Sequence, residues 1–108
     1  MRRVFSQHTL VDSDIEEIGD YIAKDNHSAA RAVVRAIYHA LDAIRNDPEK
    51  FPFYEPKTFE NNFLHRAVCL PYRNYLIFYE LFPKEVRILY VHHGARQFEA
   101  RHHKEKRM

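Results

Sequence analysis

The chain has 108 residues, 45% hydrophobic and 30% charged, with two glycines and no low-complexity run; this excludes a disordered segment and points to one folded domain over 1–108. The single Cys69 excludes an intramolecular disulfide framework and suits a reducing compartment, and no stretch approaches the ~18 apolar residues of a membrane span. The formal charge of +2 is the sum of −2 over residues 1–54 (seven Lys/Arg, nine Asp/Glu) and +4 over residues 55–108 (ten and six), so the basic half is the C-terminal one.

Such a block suits nucleic acid or an acidic protein as a partner, or is simply a solvated face with a frayed tail. The basic start lacks a following apolar run, so the expected location is the cytoplasm. Arg3 to Ser6 reads as a short edge strand. Thr9 stands before Leu10-Val11-Asp12 as an N-cap, with Asp12, Asp14, Glu16 and Glu17 in the early turns where the helix dipole favours anions. Val11, Ile15, Ile18 and Ile22 form one apolar stripe, which predicts a helix from Leu10 to Lys24, ended by Asp25-Asn26-His27.

Ser28 is the expected cap of a second helix in which Ala30, Val33, Val34, Ile37, Leu41 and Ile44 recur at helical spacing. Asn46-Asp47-Pro48 stops it, and Arg31, Arg35, Asp42 and Arg45 occupy its other faces as ordinary solubilising charge. Pro48 to Asn62 is aperiodic and reads as a loop over the core edge. Its Phe51, Phe53, Tyr54 and Phe59 are anchors rather than a nucleobase platform.

From Phe63 to Leu70, Leu64, Arg66, Val68 and Leu70 alternate with His65, Ala67 and Cys69, which is strand periodicity. Pro71-Tyr72-Arg73-Asn74 turns the chain into a hairpin of Tyr75 to Phe82 and Val86 to His93 around Pro83-Lys84-Glu85. Gly94 then permits a turn that a Cβ would resist and sets Arg96 just past the strand. The adjacent pairs His92-His93 and His102-His103 argue against a metal site, because neighbours on a strand face opposite ways and no carboxylate or cysteine lies at ligand spacing. The order strand, helix, helix, strand, strand, strand gives an α+β fold: an N-terminal strand, a helical hairpin and a three-stranded antiparallel meander. The helices cover one face of the sheet, and the other is left partly open for a partner. Residues 99–108 are expected as a mobile basic tail.

The segment Asp14-Ile15-Glu16-Glu17-Ile18-Gly19-Asp20-Tyr21-Ile22-Ala23-Lys24-Asp25-Asn26, the Asn46-Asp47-Pro48 stop, Tyr75-Leu76-Ile77-Phe78-Tyr79 and Val86 through Arg96 together resemble the RelE/ParE toxins of bacterial type II toxin–antitoxin modules, over residues 3–98. The resemblance implies a toxin whose partner is a small, usually dimeric DNA-binding antitoxin with a tail that wraps it, and no cofactor. RelE-like members cleave mRNA on the ribosome, chemistry that needs a base, an acid and cations for the phosphate. Anchored on Tyr75 and Tyr79, this chain puts Ala67, Cys69 and Leu76 where RelE-type sequences carry cations.

Only Arg96 matches, with His102 near the downstream tyrosine. The better match is ParE-like, which implies non-catalytic poisoning of DNA gyrase. On that reading Arg73, Arg96, Arg101 and His102 contact the target, and Arg66, Arg73 and Arg87 meet acidic groups of the antitoxin. Direct nucleic-acid binding is expected only through the antitoxin or target complex. Two alternatives stay open: an endoribonuclease using Arg96 and His102, with Arg66, Arg73 or His103 in a relocated site, and a non-toxic partner in antitoxin-mediated autoregulation.

Overall fold

Both expected helices form, and neither is capped by the residue expected. The computed structural model describes residues 3–54, 64–94 and 97–107. Helix α1 spans Val11–Ala23; Thr9 does not cap it, and the His8 ring Nδ1 instead accepts the Leu10 amide at 3.1 Å. Helix α2 spans His27–Asn46 and is capped by Asn26, not Ser28: the extended Asn26 backbone lets Oδ1 accept the Ala29 amide at 3.0 Å. A residue read as the end of one helix is thus the start of the next. Where the two helices cross, a Cβ on Gly19 would stand 3.2 Å from Val34 Cγ2, so the absence of a side chain sets how closely they pack.

After a single 3-10 turn at Pro48–Lys50 come β2 (Leu64–Val68), β3 (Tyr75–Leu81) and β4 (Glu85–His93), which pair antiparallel as a meander. The N-terminal strand β1 (Val4–Gln7) is an edge strand, as expected, and it pairs parallel with β4, so the sheet order is β1-β4-β3-β2. The crossover through both helices makes parallel pairing possible. Ala67, Cys69, Ile77, Tyr79, Val86, Ile88 and Val91 pack against the helices.

One irregularity sets what the other face presents. Tyr79 pairs with Ile88 and Phe78 with Tyr90, so Leu89 is an extra residue in β4. A bulge of this kind breaks strict alternation, and Leu89 and Tyr90 both join Leu64 and Phe78 in a second core. That core corrects two expectations. The C-terminal segment is a helix, α3 (Phe98–Glu105), and it closes the middle of the face expected to be partly open. Phe98 is the reason: its ring stacks on Phe78 at 3.6 Å between centroids and meets Tyr90 and Tyr54 edge-on. Of the loop aromatics, Phe51 packs against the first core and Tyr54 against the second, while Phe53 is 57% exposed over His65; Phe59 lies outside the described residues.

Candidate functional site

The C-terminal helix is fastened by charge as well as by Phe98. Asp14 falls on the buried stripe of α1, three residues after Val11, and its carboxylate is buried. It accepts the Val91 amide of β4 at 3.0 Å, the Arg101 guanidinium at 2.5 Å, and both Nη1 and Nη2 of Arg107. Arg107 also donates to the Leu89 carbonyl and pairs with Glu105, and Arg101 pairs with Glu105 and donates to the Val91 carbonyl. Two carboxylates and two guanidinium groups thus form a closed cluster joining α1, β4 and α3. Burial works against the Arg107 charge, yet Asp14 and Glu105 more than offset it and hold the guanidinium above its ordinary value.

Beside this cluster the Tyr90 hydroxyl accepts the Arg107 backbone amide at 3.0 Å and lies 2.7 Å from His102 Nδ1. Desolvation holds the His102 imidazole below its ordinary value. Of the residues expected to reach a target, Arg101 and His102 are therefore engaged in holding α3 to the sheet. Arg96 lies outside the described residues. His92 is buried on the second-core face, where its Nδ1 accepts from Arg101, whereas His93 is half-buried beside Tyr75. Among the described residues no group of three His, Cys, Asp or Glu is placed to hold a metal ion.

The remaining arginines separate. Arg66 is exposed on β2, over the Tyr54 ring at 5.9 Å. It lines a shallow pocket of about 290 Å3 with Phe78, Gln97, Phe98 and Glu99. In it the Tyr54 hydroxyl donates to the Glu99 carboxylate; burial and this bond raise the phenol well above its usual range, and the same bond lowers Glu99. Ala67 and Cys69, matched in the sequence to RelE-type cations, face the helices and are fully buried, so the β2 side chain at this pocket is Arg66. Arg87 is half-buried and pairs with Glu85, which Ser6 also holds. Arg73 is exposed in the turn between β2 and β3, in which Leu70 is 60% and Tyr72 36% exposed. The structure does not gather Arg66, Arg73 and Arg87 into one site.

A larger groove, about 600 Å3, runs between α1 and α3. Ile18 and Tyr21 form one wall, Ala100 and Lys104 the other, and Tyr75 and His93 the floor. Burial, with Tyr21 nearby, raises the Tyr75 phenol. Sequence reasoning missed Asp14 and Arg107 as partners; the available signal was an acid set on an apolar stripe, which requires a buried cation. No helix among the described residues is long and apolar enough to cross a membrane.

The family model described as the ParE toxin of the type II toxin–antitoxin system, parDE, matches residues 6–98. Among solved structures, the chain is similar to one in the chromosomal ParDE system of P. aeruginosa, with a TM-score of 0.65 and 15% identity over 84% of this chain and 95% of that one. It is also similar to a chain of the E. coli DinJ–YafQ toxin–antitoxin complex (TM-score 0.60, 15% identity, 88% and 96% covered). A third is a chain of the archaeal RelE–RelB complex from Pyrococcus horikoshii (TM-score 0.54, 18% identity, 90% and 100% covered). At these identities the likeness to solved structures speaks to fold alone. No curated protein matches the sequence.

Proposed function

Since the chain belongs to the ParE toxin family of type II toxin–antitoxin systems, we propose that it is a toxin that grips DNA gyrase without catalysis and is silenced by a cognate antitoxin. The observation that carries this reading is the division of labour among its cations. Arg101 and Arg107 are neutralised inside the fold by Asp14 and Glu105, while Arg73 stands exposed in the turn between β2 and β3, directly after the exposed Tyr72. An arginine next to a tyrosine is the composition in which protein-binding hot spots are enriched. Contact with gyrase would trap the enzyme's cleaved-DNA state, and it runs through this turn, with Arg96 as a second target contact. Arg66, Arg73 and Arg87 meet acidic groups of the antitoxin, which competes for Arg73.

Purified protein added to a gyrase supercoiling reaction tests this. Loss of supercoiling with accumulation of cleaved DNA is expected, and Arg73→Glu combined with Tyr72→Ala should raise the concentration needed by about tenfold or more. Undisturbed supercoiling together with ribosome-dependent mRNA cutting overturns the reading in favour of an endoribonuclease. Normal bacterial growth on induction without antitoxin overturns it in favour of a binding partner that serves only autoregulation.

A further inference from the structure

The helical hairpin carries opposite charge on its two helices. On α1 the exposed charges are Asp12, Glu16, Glu17 and Asp20, and on α2 they are Arg31, Arg35, Asp42 and Arg45. At 100° per residue each set falls on the side of its helix turned away from the buried stripe. Glu16 and Asp20 on α1 and Arg31 and Arg35 on α2 therefore lie on the outer surface of one layer, acidic along α1 and basic along α2, while Glu17 borders the groove between α1 and α3 and the Arg45 guanidinium sits over the Phe5 ring. Glu16, Glu17, Asp20, Arg31 and Arg35 form no ion pair among the described residues. Tyr38 is 48% exposed in the middle of the α2 strip.

We infer that this surface pairs with the same surface of a second copy of this chain. The short Lys24–Asn26 connection makes the helices antiparallel, and the approach of Gly19 to Val34 fixes their relative level. Asp20 is then level with the turn carrying Arg31 and Arg35, and Glu16 with the turn carrying Arg35 and Tyr38. A twofold axis along the hairpin lays α1 of one copy over α2 of the other without changing that level. Asp20 and Glu16 then each meet an arginine, Asp12 falls at the level of Asp42, and the symmetry makes every such contact twice. Tyr38 of each copy lies within the interface as its aromatic anchor.

A nucleic-acid backbone is the other natural occupant of the α2 strip. It suits the surface less well, because the α1 carboxylates lie one helix spacing away, roughly 8–10 Å, which is comparable to the Debye length at physiological salt. The layer repels a uniform polyanion over half its width and is complementary to itself where Glu16 and Asp20 lie over Arg31 and Arg35. Two helices of this length give a small contact, so the association is weak and salt-sensitive rather than obligate.

Sedimentation equilibrium of the full chain from about 20 to 500 µM tests it, in ~50 mM and ~500 mM salt. A monomer–dimer equilibrium that weakens about tenfold at the higher salt is expected. The decisive variants are Arg31→Glu/Arg35→Glu, which makes both strips acidic, and Glu16→Lys/Asp20→Lys, which makes both basic. Each alone should be monomeric, and a one-to-one mixture should form a heterodimer at least as tight as the unaltered dimer. Failure of the mixture to associate, with both variants folded by circular dichroism, overturns the proposal. So does a monomeric unaltered chain over the whole range at low salt, a reading that requires no variant to fold. Binding of a short DNA duplex that is lost in Arg31→Glu/Arg35→Glu, without self-association, assigns the strip to nucleic acid instead.

Discussion

Asp14 shows how one side chain ties distant parts of the chain together. Its carboxylate takes hydrogen bonds from residues 91, 101 and 107, so a helix near the N-terminus is fixed to the last strand and to the C-terminal helix. Replacing one partner of a buried pair leaves the other charge in a poor environment, which costs more than the pair itself contributes. Asp14→Asn should therefore lower unfolding stability by about 3 kcal/mol in urea titrations, and replacing Asp14 and Arg107 together with apolar residues of similar volume should recover much of the loss. Cys69 is a second residue-scale case. Burial among the first-core side chains pushes its thiol up to about 12, so at neutral pH it carries no thiolate and has no access to reagents. Its reaction with a disulfide reagent should follow global unfolding, measured by rising denaturant; fast labelling of the native chain would contradict that burial.

At the scale of elements, α3 is held by one aromatic anchor and one charge cluster. Phe98→Ala removes the ring stacked on Phe78 and should cost about 3 kcal/mol, read by thermal or urea unfolding. The same helix responds to acid. His102 has its folded value held down by desolvation, so as pH falls below about 6.5 the unfolded imidazole takes up its proton first. Its contribution is complete above that pH and is lost as pH drops through the folded value. Glu105 is lowered too, although burial opposes this, because Arg101 and Arg107 favour its charge; its contribution is present above about 4.3 and is lost further into acid. Amide exchange in Phe98–Glu105 should therefore rise, relative to the sheet, as the pH is lowered below about 6.5, and His102→Gln should remove that first step. Gly94 belongs to this scale as well. Its φ is not positive, so what requires glycine is the Asn74 carbonyl, which would stand 3.1 Å from an added Cβ. Gly94→Ala is expected to destabilise by about 1 kcal/mol, by displacing the turn that carries Arg73.

Across the whole molecule, what was legible in the sequence is what local periodicity encodes. The stripes of α1 and α2, the alternation of β2 and the hairpin around Pro83 all follow from spacing, and each is found within one or two residues of its expected ends. The parallel pairing of β1 with β4 was not legible, because it joins residues some eighty positions apart. The bulge at Leu89 was hidden for a related reason: an unbroken apolar run gives no sign of where alternation slips. The role of α3 was obscured by composition, since Arg101 and Arg107 read as solvent charge until Asp14 is placed opposite them. Of the residues expected at the target surface, Arg101 and His102 have partners within the fold, whereas Arg73 is exposed where the turn was expected. The dependence of α1 on the C-terminal helix is then the property of the whole molecule most open to test. If α3 were an appendage, deleting residues 98–108 would remove only its own signal. Because Asp14 would lose both guanidinium partners and Phe78, Leu89 and Tyr90 would lose their cover, the truncated chain should bind a hydrophobic dye and melt at least about 10 °C lower. Amide exchange should quicken in Val11–Ile18 as well as in β4; protection of α1 unchanged by the deletion would show that the charge cluster does not couple the two ends of the chain.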